Sequence, residues 1–203
     1  LARLDQAQNF SYDALMGKIY DHLDSTLVNF IERQQVFFVG TAPLSPDGHI
    51  NCSPKGLDTF VILDEKRVAY LDFVGSTAET IAHLRENGRI VLMFCAFDGT
   101  AKILRLHGHG RVLTEVHEEY AELRKRFQLP QPNRAIIEVE LSRISDACGI
   151  GVPLFDYRDQ RSGLLDWSEK KGEAGAKLYQ ATNNRESIDG LPAVLPRTIA
   201  EKD

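Results

Sequence analysis

The sequence predicts a mainly β, α+β fold: a six-stranded antiparallel barrel with flanking helices. Two observations carry this. Six or more β-rich runs follow one another, and most are joined by short turn signals instead of helices. A doubly wound parallel sheet would need a crossover helix after nearly every strand.

The elements follow in order. Leu15, Ile19, Leu23, Leu27, Phe30 and Ile31 recur at three- and four-residue steps, so residues 15–33 are expected to form an amphipathic helix ahead of the sheet. Residues 36–41 are β-branched and aromatic. Pro43 and the turn Ser45-Pro46-Asp47-Gly48 end that run and predict a hairpin into residues 49–53. Residues 60–63 and 68–73 flank the polar Asp64-Glu65-Lys66-Arg67 and make a second hairpin by the same logic. Residues 77–87 read as a short helix stopped by Gly88. Residues 89–97 and 101–107 flank Asp98-Gly99-Thr100, a third hairpin connection. A helix over residues 116–127 is broken by Pro130 and Pro132, and residues 135–144 are extended.

The chain changes character at Asp146, with a loop at Cys148-Gly149-Ile150-Gly151-Val152-Pro153 and a Lys- and Glu-rich helix over residues 164–180. This tail has too few apolar residues for a core of its own. Residues 1–145 are therefore expected to form the barrel domain with its N-terminal helix. Residues 146–203 are a loop and helical extension of the same domain, a lid or a dimer arm.

Composition narrows the function classes. With 203 residues, 43% hydrophobic and 26% charged, the chain is ordinary globular material for one domain. No run of about 18 apolar residues offers a membrane span. Residues 1–12 lack the apolar centre of a signal peptide. The net charge is -5 and the 24 basic residues are scattered, which argues against nucleic acid as a partner. Three cysteines, Cys52, Cys95 and Cys148, form no Cys-x-x-Cys pair, so a reducing cytoplasm is expected and no disulfide framework or zinc site. His107 and His109 share one side of a strand, but no Cys, Asp or Glu joins them at a useful spacing, and no metal site is expected. His83, inside a helix, reads as structural. Neither a Gly-x-Ser-x-Gly elbow nor a His-Glu-x-x-His motif occurs.

Two segments could carry chemistry. In Ile50-Asn51-Cys52-Ser53-Pro54-Lys55-Gly56 a proline and a glycine bracket a lysine at a strand end, so Lys55 is expected to bend out of the ladder. It reads either as a cation aimed at a cofactor or as a solvated turn lysine. The second segment, from Gly75 to Asn87, offers the hydroxyls of Ser76, Thr77 and Thr80 where a helix begins, and hence an anion site. Ser76 followed by Glu79 also reads as a capping box, a structural device that needs no ligand. Arg105 alternates with Leu104 and Leu106; it is a phosphate-suited guanidinium if its face is the barrel mouth, and a plain surface arginine if not.

These segments resemble the FMN-binding split-barrel family, whose best-known member is pyridoxamine 5'-phosphate oxidase. The similarity covers roughly residues 36–144 in element order. It is most specific in Asn51-Cys52-Ser53-Pro54-Lys55-Gly56, in Gly75 to Asn87, in Arg89-Ile90-Val91-Leu92-Met93-Phe94-Cys95-Ala96-Phe97 and in Ile103-Leu104-Arg105-Leu106-His107-Gly108. The blocks at residues 145–153 and 187–192 look like those of a subgroup related to the oxidase. The resemblance implies a split barrel that binds FMN non-covalently at the interface of a homodimer, and an FMN-dependent oxidoreductase of small molecules. Carried over by position, Ser53, Pro54, Lys55 and Gly56 border the flavin. Leu71 and Asp72 lie along its strand, and Ser76, Thr77, Glu79 and Thr80 face its phosphate. Arg105 lies on a further contacting strand.

Two departures stand out. The oxidase carries an Arg-Lys pair where this chain has Thr77-Ala78-Glu79-Thr80, and it closes with a tryptophan and an arginine where the only tryptophan here is Trp167, in the charged helix. No residue is singled out as a catalytic acid or base. Other uses of the fold remain open on sequence: FMN storage or sensing without turnover, the deazaflavin F420, or haem, for which His107 and His109 are the places to look.

Overall fold

The structure, a computed structural model, describes residues 17–194. In chain order the elements are β1 (Ile19–Tyr20), α1 (Ser25–Glu32), β2 (Phe37–Thr41), β3 (Asn51–Lys55), β4 (Phe60–Ile62) and β5 (Arg67–Phe73). Then come α2 (Glu79–Asn87), β6 (Arg89–Cys95), β7 (Ile103–Leu113), α3 (Tyr120–Arg124), β8 (Asn133–Ala147) and α4 (Gly163–Asn183). The strands form one sheet in the order β3-β2-β6-β7-β8-β5-β4, with β1 paired to β8, and every pairing is antiparallel. This is the split barrel expected, with eight strands instead of six.

Alternation builds the interior. Phe37 and Val39, Leu92 and Phe94, and Leu104 and Leu106 turn one way and form the main core with α1 and α2. On the other side of β5 and β8, Ala69, Leu71, Phe73 and Ile136 join Leu113 and Phe127 in a second, smaller core. Gly88 ends α2 in the left-handed conformation, φ 69°, and any Cβ there would lie 2.0 Å from the His109 ring. The hairpin and stop signals thus act as expected, because each is local.

Four expectations are corrected. Within residues 15–33 the helix begins only at Ser25, where Asp24 accepts the Leu27 amide at 2.9 Å. Ile19 and Tyr20 instead pair with Ser145 and Ile144, and Leu15 lies outside the described residues. The helix expected over residues 116–127 shrinks to Tyr120–Arg124, because β7 runs on to Leu113 and a turn closed by Thr114 and His117 follows it. The Ser76–Glu79 capping box does not form: Ala78 is the cap residue, with no side-chain cap. Glu79 Oε1 instead accepts the backbone amide of Ile188 at 3.0 Å. Finally, Lys55 stays in the ladder, opposite Phe37, and Pro54 is tolerated because β3 is an edge strand.

The C-terminal segment folds back onto the barrel. α4 kinks at Gly172, whose φ is 62°. Beyond it Asn184, fully buried, donates to the Gly75 carbonyl at 2.9 Å, and Asp189 accepts from His49 Nδ1 at 2.6 Å. A loop far along the chain is thereby tied to the start of α2 and to the β2–β3 turn.

Candidate active site at the barrel seam

Lys55 lies on β3, one edge of the sheet, and Asp72 on β5, next to the other. Lys55 Nζ reaches Asp72 Oδ1 at 2.9 Å and so closes the seam of the barrel. Arg134 Nε holds Asp72 Oδ2 at 2.5 Å. The register explains how Arg134 gets there. Asp72 opposes Ala135 and Phe73 opposes Asn133, so Arg134 is the extra residue of a β-bulge, and the bulge turns its side chain toward the seam. Its Nη1 also donates to the Thr77 carbonyl, which fixes the loop before α2.

Asp72 is fully buried. Burial alone would raise its carboxyl pKa, but Arg134 and Lys55 outweigh that and hold it at about 2. It is therefore ionised at neutral pH, and the trio of two cations and one anion keeps one net positive charge. Tyr70, buried beside it, is pushed well above its ordinary value by burial and then by Asp72. Its hydroxyl lies near Thr80 without a well-formed hydrogen bond.

A polar chain runs along the same face of β3. Ser53 donates to Asn51 Oδ1 at 2.8 Å, and Asn51 Nδ2 donates to both Thr41 and Thr80 hydroxyls at 3.0 Å. Thr41 meets His83 Nδ1 at 2.9 Å. Burial lowers the His83 pKa despite Glu79, Asp189 and Glu86 nearby, so its imidazole is neutral at pH 7. This chain fastens edge strand β3 to α2.

The structure thus brings Ser53, Lys55, Asp72 and Thr80 together, with Gly56 following at the strand end. Ser76 and Thr77 are exposed just before α2, a nine-residue helix whose start has no side-chain cap. Thr80 is 4% exposed and its hydroxyl is taken by Asn51, while Glu79 is taken by Ile188. Leu71 points into the second core, so only its backbone is available at the seam. Pro54 and Arg105 lie on the opposite face of the sheet, in one register row with Phe38 and Met93. Arg134, Tyr70 and Asn184 complete the seam and carry no motif in the sequence; a lone arginine opening an apolar run was the one available signal.

Comparison with known proteins agrees with this architecture. A family profile described as Pyridoxamine 5'-phosphate oxidase matches residues 23–148. The pyridoxamine 5'-phosphate oxidase family protein ustO of Aspergillus flavus is 37% identical over 198 aligned residues, covering 88% of this chain and 78% of that protein. Among solved structures, a variant of HupZ from Group A Streptococcus superimposes with a TM-score of 0.51 at 21% identity, over 61% of this chain and 98% of that one.

Proposed function

Because the chain belongs to the pyridoxamine 5'-phosphate oxidase family, we propose that it binds FMN non-covalently beside the seam and acts as an FMN-dependent oxidoreductase on a small molecule. The observation that carries this reading is the meeting of a net positive seam with the uncapped start of α2. Free first-turn amides, the positive end of a helix and two exposed hydroxyls are the donor set a phosphate monoester takes. The residues therefore fit the group.

Bound there, the flavin supplies hydride or electron transfer. The chain's own part is to hold it. Ser76, Thr77 and the amides that follow take the phosphate, and Arg134 fixes that loop through the Thr77 carbonyl. Ser53, Lys55 and Gly56 border the ring system, Pro54 offers only its backbone there because its ring lies on the opposite face, and Asp72 holds Lys55 in place. Asp72 and Tyr70 titrate far from neutrality in opposite directions, so neither exchanges protons near pH 7. That favours, as a second reading, a module that stores or senses FMN. Anaerobic mixing with a reduced nicotinamide separates the two: an oxidoreductase bleaches bound FMN faster than free FMN bleaches, and a storage module does not.

The same reading makes the protein a homodimer with FMN at the interface. Phe38, Val91 and Met93, on the outer face of β2 and β6, are only half-buried in one protomer, and Arg105 shares the row of Phe38 and Met93. Sedimentation is expected to give a species of about twice 22.8 kDa. A species of the single-chain mass alone would remove the interface from this account.

Pyridoxamine 5'-phosphate is expected to be a poor substrate or none. Trp167 is taken up within α4, where it packs edge to face on Tyr179 with ring centroids 5.2 Å apart. Without such a residue to hold the substrate against the flavin, most of the positional advantage is lost. Steady formation of pyridoxal phosphate and peroxide at about one turnover per second or faster would contradict this.

A further inference from the structure

Two carbonyls in the loop before α2 are drawn inward by buried side chains from elsewhere in the chain. Arg134 donates through Nη1 to the Thr77 carbonyl, and Asn184, fully buried, donates through Nδ2 to the Gly75 carbonyl at 2.9 Å. The amide of Asn184 must face this way, because only its NH2 group can donate to a carbonyl. Its Oδ1 is then left buried with no partner among the described residues. An unpaired buried acceptor is a cost to the fold, so it is the donor end of Asn184 that contributes.

The turn that carries Asn184 is well anchored. The Ala193 and Val194 amides donate to the Arg185 and Asn184 carbonyls at 2.8 and 2.9 Å, and Ala193 is fully buried in the main core. Asp189 holds the His49 amide at 2.8 Å, and Glu79 holds the Ile188 amide. In a trans peptide the N–H points opposite to the C=O of the same unit. Tying the Gly75 and Thr77 carbonyls inward therefore turns the Ser76 and Ala78 amides away from the core, to the side on which Ser76 and Thr77 are exposed. Neither amide makes a hydrogen bond among the described residues. Backbone amides gathered on one side of a turn form an anion-binding concavity.

We infer that Asn184 is a positioning residue for the cofactor phosphate: through the Gly75 carbonyl it aims the Ser76 amide at the phosphate, and so it sets the preference for FMN over riboflavin. This rests on the reading that FMN places its phosphate at the start of α2. Asn184 does not itself touch the ligand. Its donor is the only hydrogen bond to the Gly75 carbonyl among the described residues. Packing does not hold that residue either, since a Cβ on Gly75 would meet nothing closer than 4.0 Å, and glycine has the widest choice of φ and ψ. Without Asn184 the 75–76 peptide unit is free to rotate. Rotation takes the Ser76 amide off the phosphate and leaves Ser53, Lys55 and Gly56 where they are.

Titration of the flavin-free whole chain with FMN and with riboflavin, which has the same ring system and no phosphate, tests it in the parent, Asn184→Leu and Asn184→Ala. The parent is expected to bind FMN at least about tenfold more tightly than riboflavin. In both variants FMN should weaken about tenfold, the share of one charge-assisted hydrogen bond, while riboflavin binding stays the same. The thermal midpoint of flavin-free Asn184→Leu should lie within about 3 °C of the parent, because removal of the unpaired acceptor offsets the lost hydrogen bond. A purely structural role gives a lower midpoint and an equal loss of both flavins, and that result would overturn the inference. So would an FMN-to-riboflavin ratio unchanged in both variants. If Asn184→Leu does not fold, Asn184→Ala supplies the ratio by itself. A parent that binds neither flavin defeats the FMN reading and this inference with it, whereas variants that prefer FMN as strongly as the parent does defeat only the role of Asn184.

Discussion

Asp72→Ala is expected to destabilise the protein by about 3–5 kcal/mol, because it leaves Lys55 and Arg134 without their shared counter-charge in a buried seam. In a domain of this size that lowers the thermal midpoint by about 6–20 °C. Lys55→Ala should cost less, since Arg134 still pairs with Asp72 and Lys55 keeps some solvent, its side chain being 21% exposed. The effect of Asp72 has a defined pH dependence. Its carboxyl is held at about 2 in the fold against an ordinary 3.8. A depressed carboxylate contributes stability that is complete above its unfolded pKa and is lost as pH falls through its folded one. The stability gap between the parent and Asp72→Asn should therefore be constant from neutrality down to about pH 4, then narrow by about 2 kcal/mol towards pH 2. Urea titrations at both ends of that window read it directly, and an unchanged gap at pH 2 would mean that Asp72 is not held ionised by its partners.

Lys55→Ala is expected to weaken FMN binding about ten- to a hundredfold, the loss of one charge-assisted contact of about 1.5–3 kcal/mol. Equilibrium titration with fluorescence of the free flavin measures this without any turnover. Arg105→Ala should weaken binding as well, but through the opposite face of the sheet, where Arg105 lies in one row with Met93 and Phe38. Its effect should thus track dimer formation, and the effect of Lys55→Ala should not. If both variants hold FMN as tightly as the parent, the flavin does not lie beside the seam.

The hairpins were legible in the sequence because each is written locally. Ser45-Pro46-Asp47-Gly48 and Asp98-Gly99-Thr100 turn the chain wherever they occur, and Gly88 can take a left-handed φ that other residues avoid. Asp72 is marked only by the family resemblance and Lys55 also by the proline and glycine that bracket it; nothing in their spacing shows that they meet across the seam. Arg134 left only the faint signal of an arginine opening an apolar run, because a bulge belongs to the pairing of two strands and not to either one. The capping box failed for a related reason. Glu79 has a competing partner, the Ile188 amide, far along the chain. Ile19 fitted a helical period and still became strand, because an edge of β8 was open to it. Local chemistry decided turns and stops, while tertiary pairing decided which polar groups face one another.

The account stands on FMN occupying the site beside the seam, and titration of purified, flavin-free protein with FMN, followed by gel filtration and release in denaturant, measures that most directly. Saturable binding with a Kd in the micromolar range or below, with about one flavin released per chain, is the predicted result. No flavin retained and no saturation at tens of micromolar FMN would contradict it.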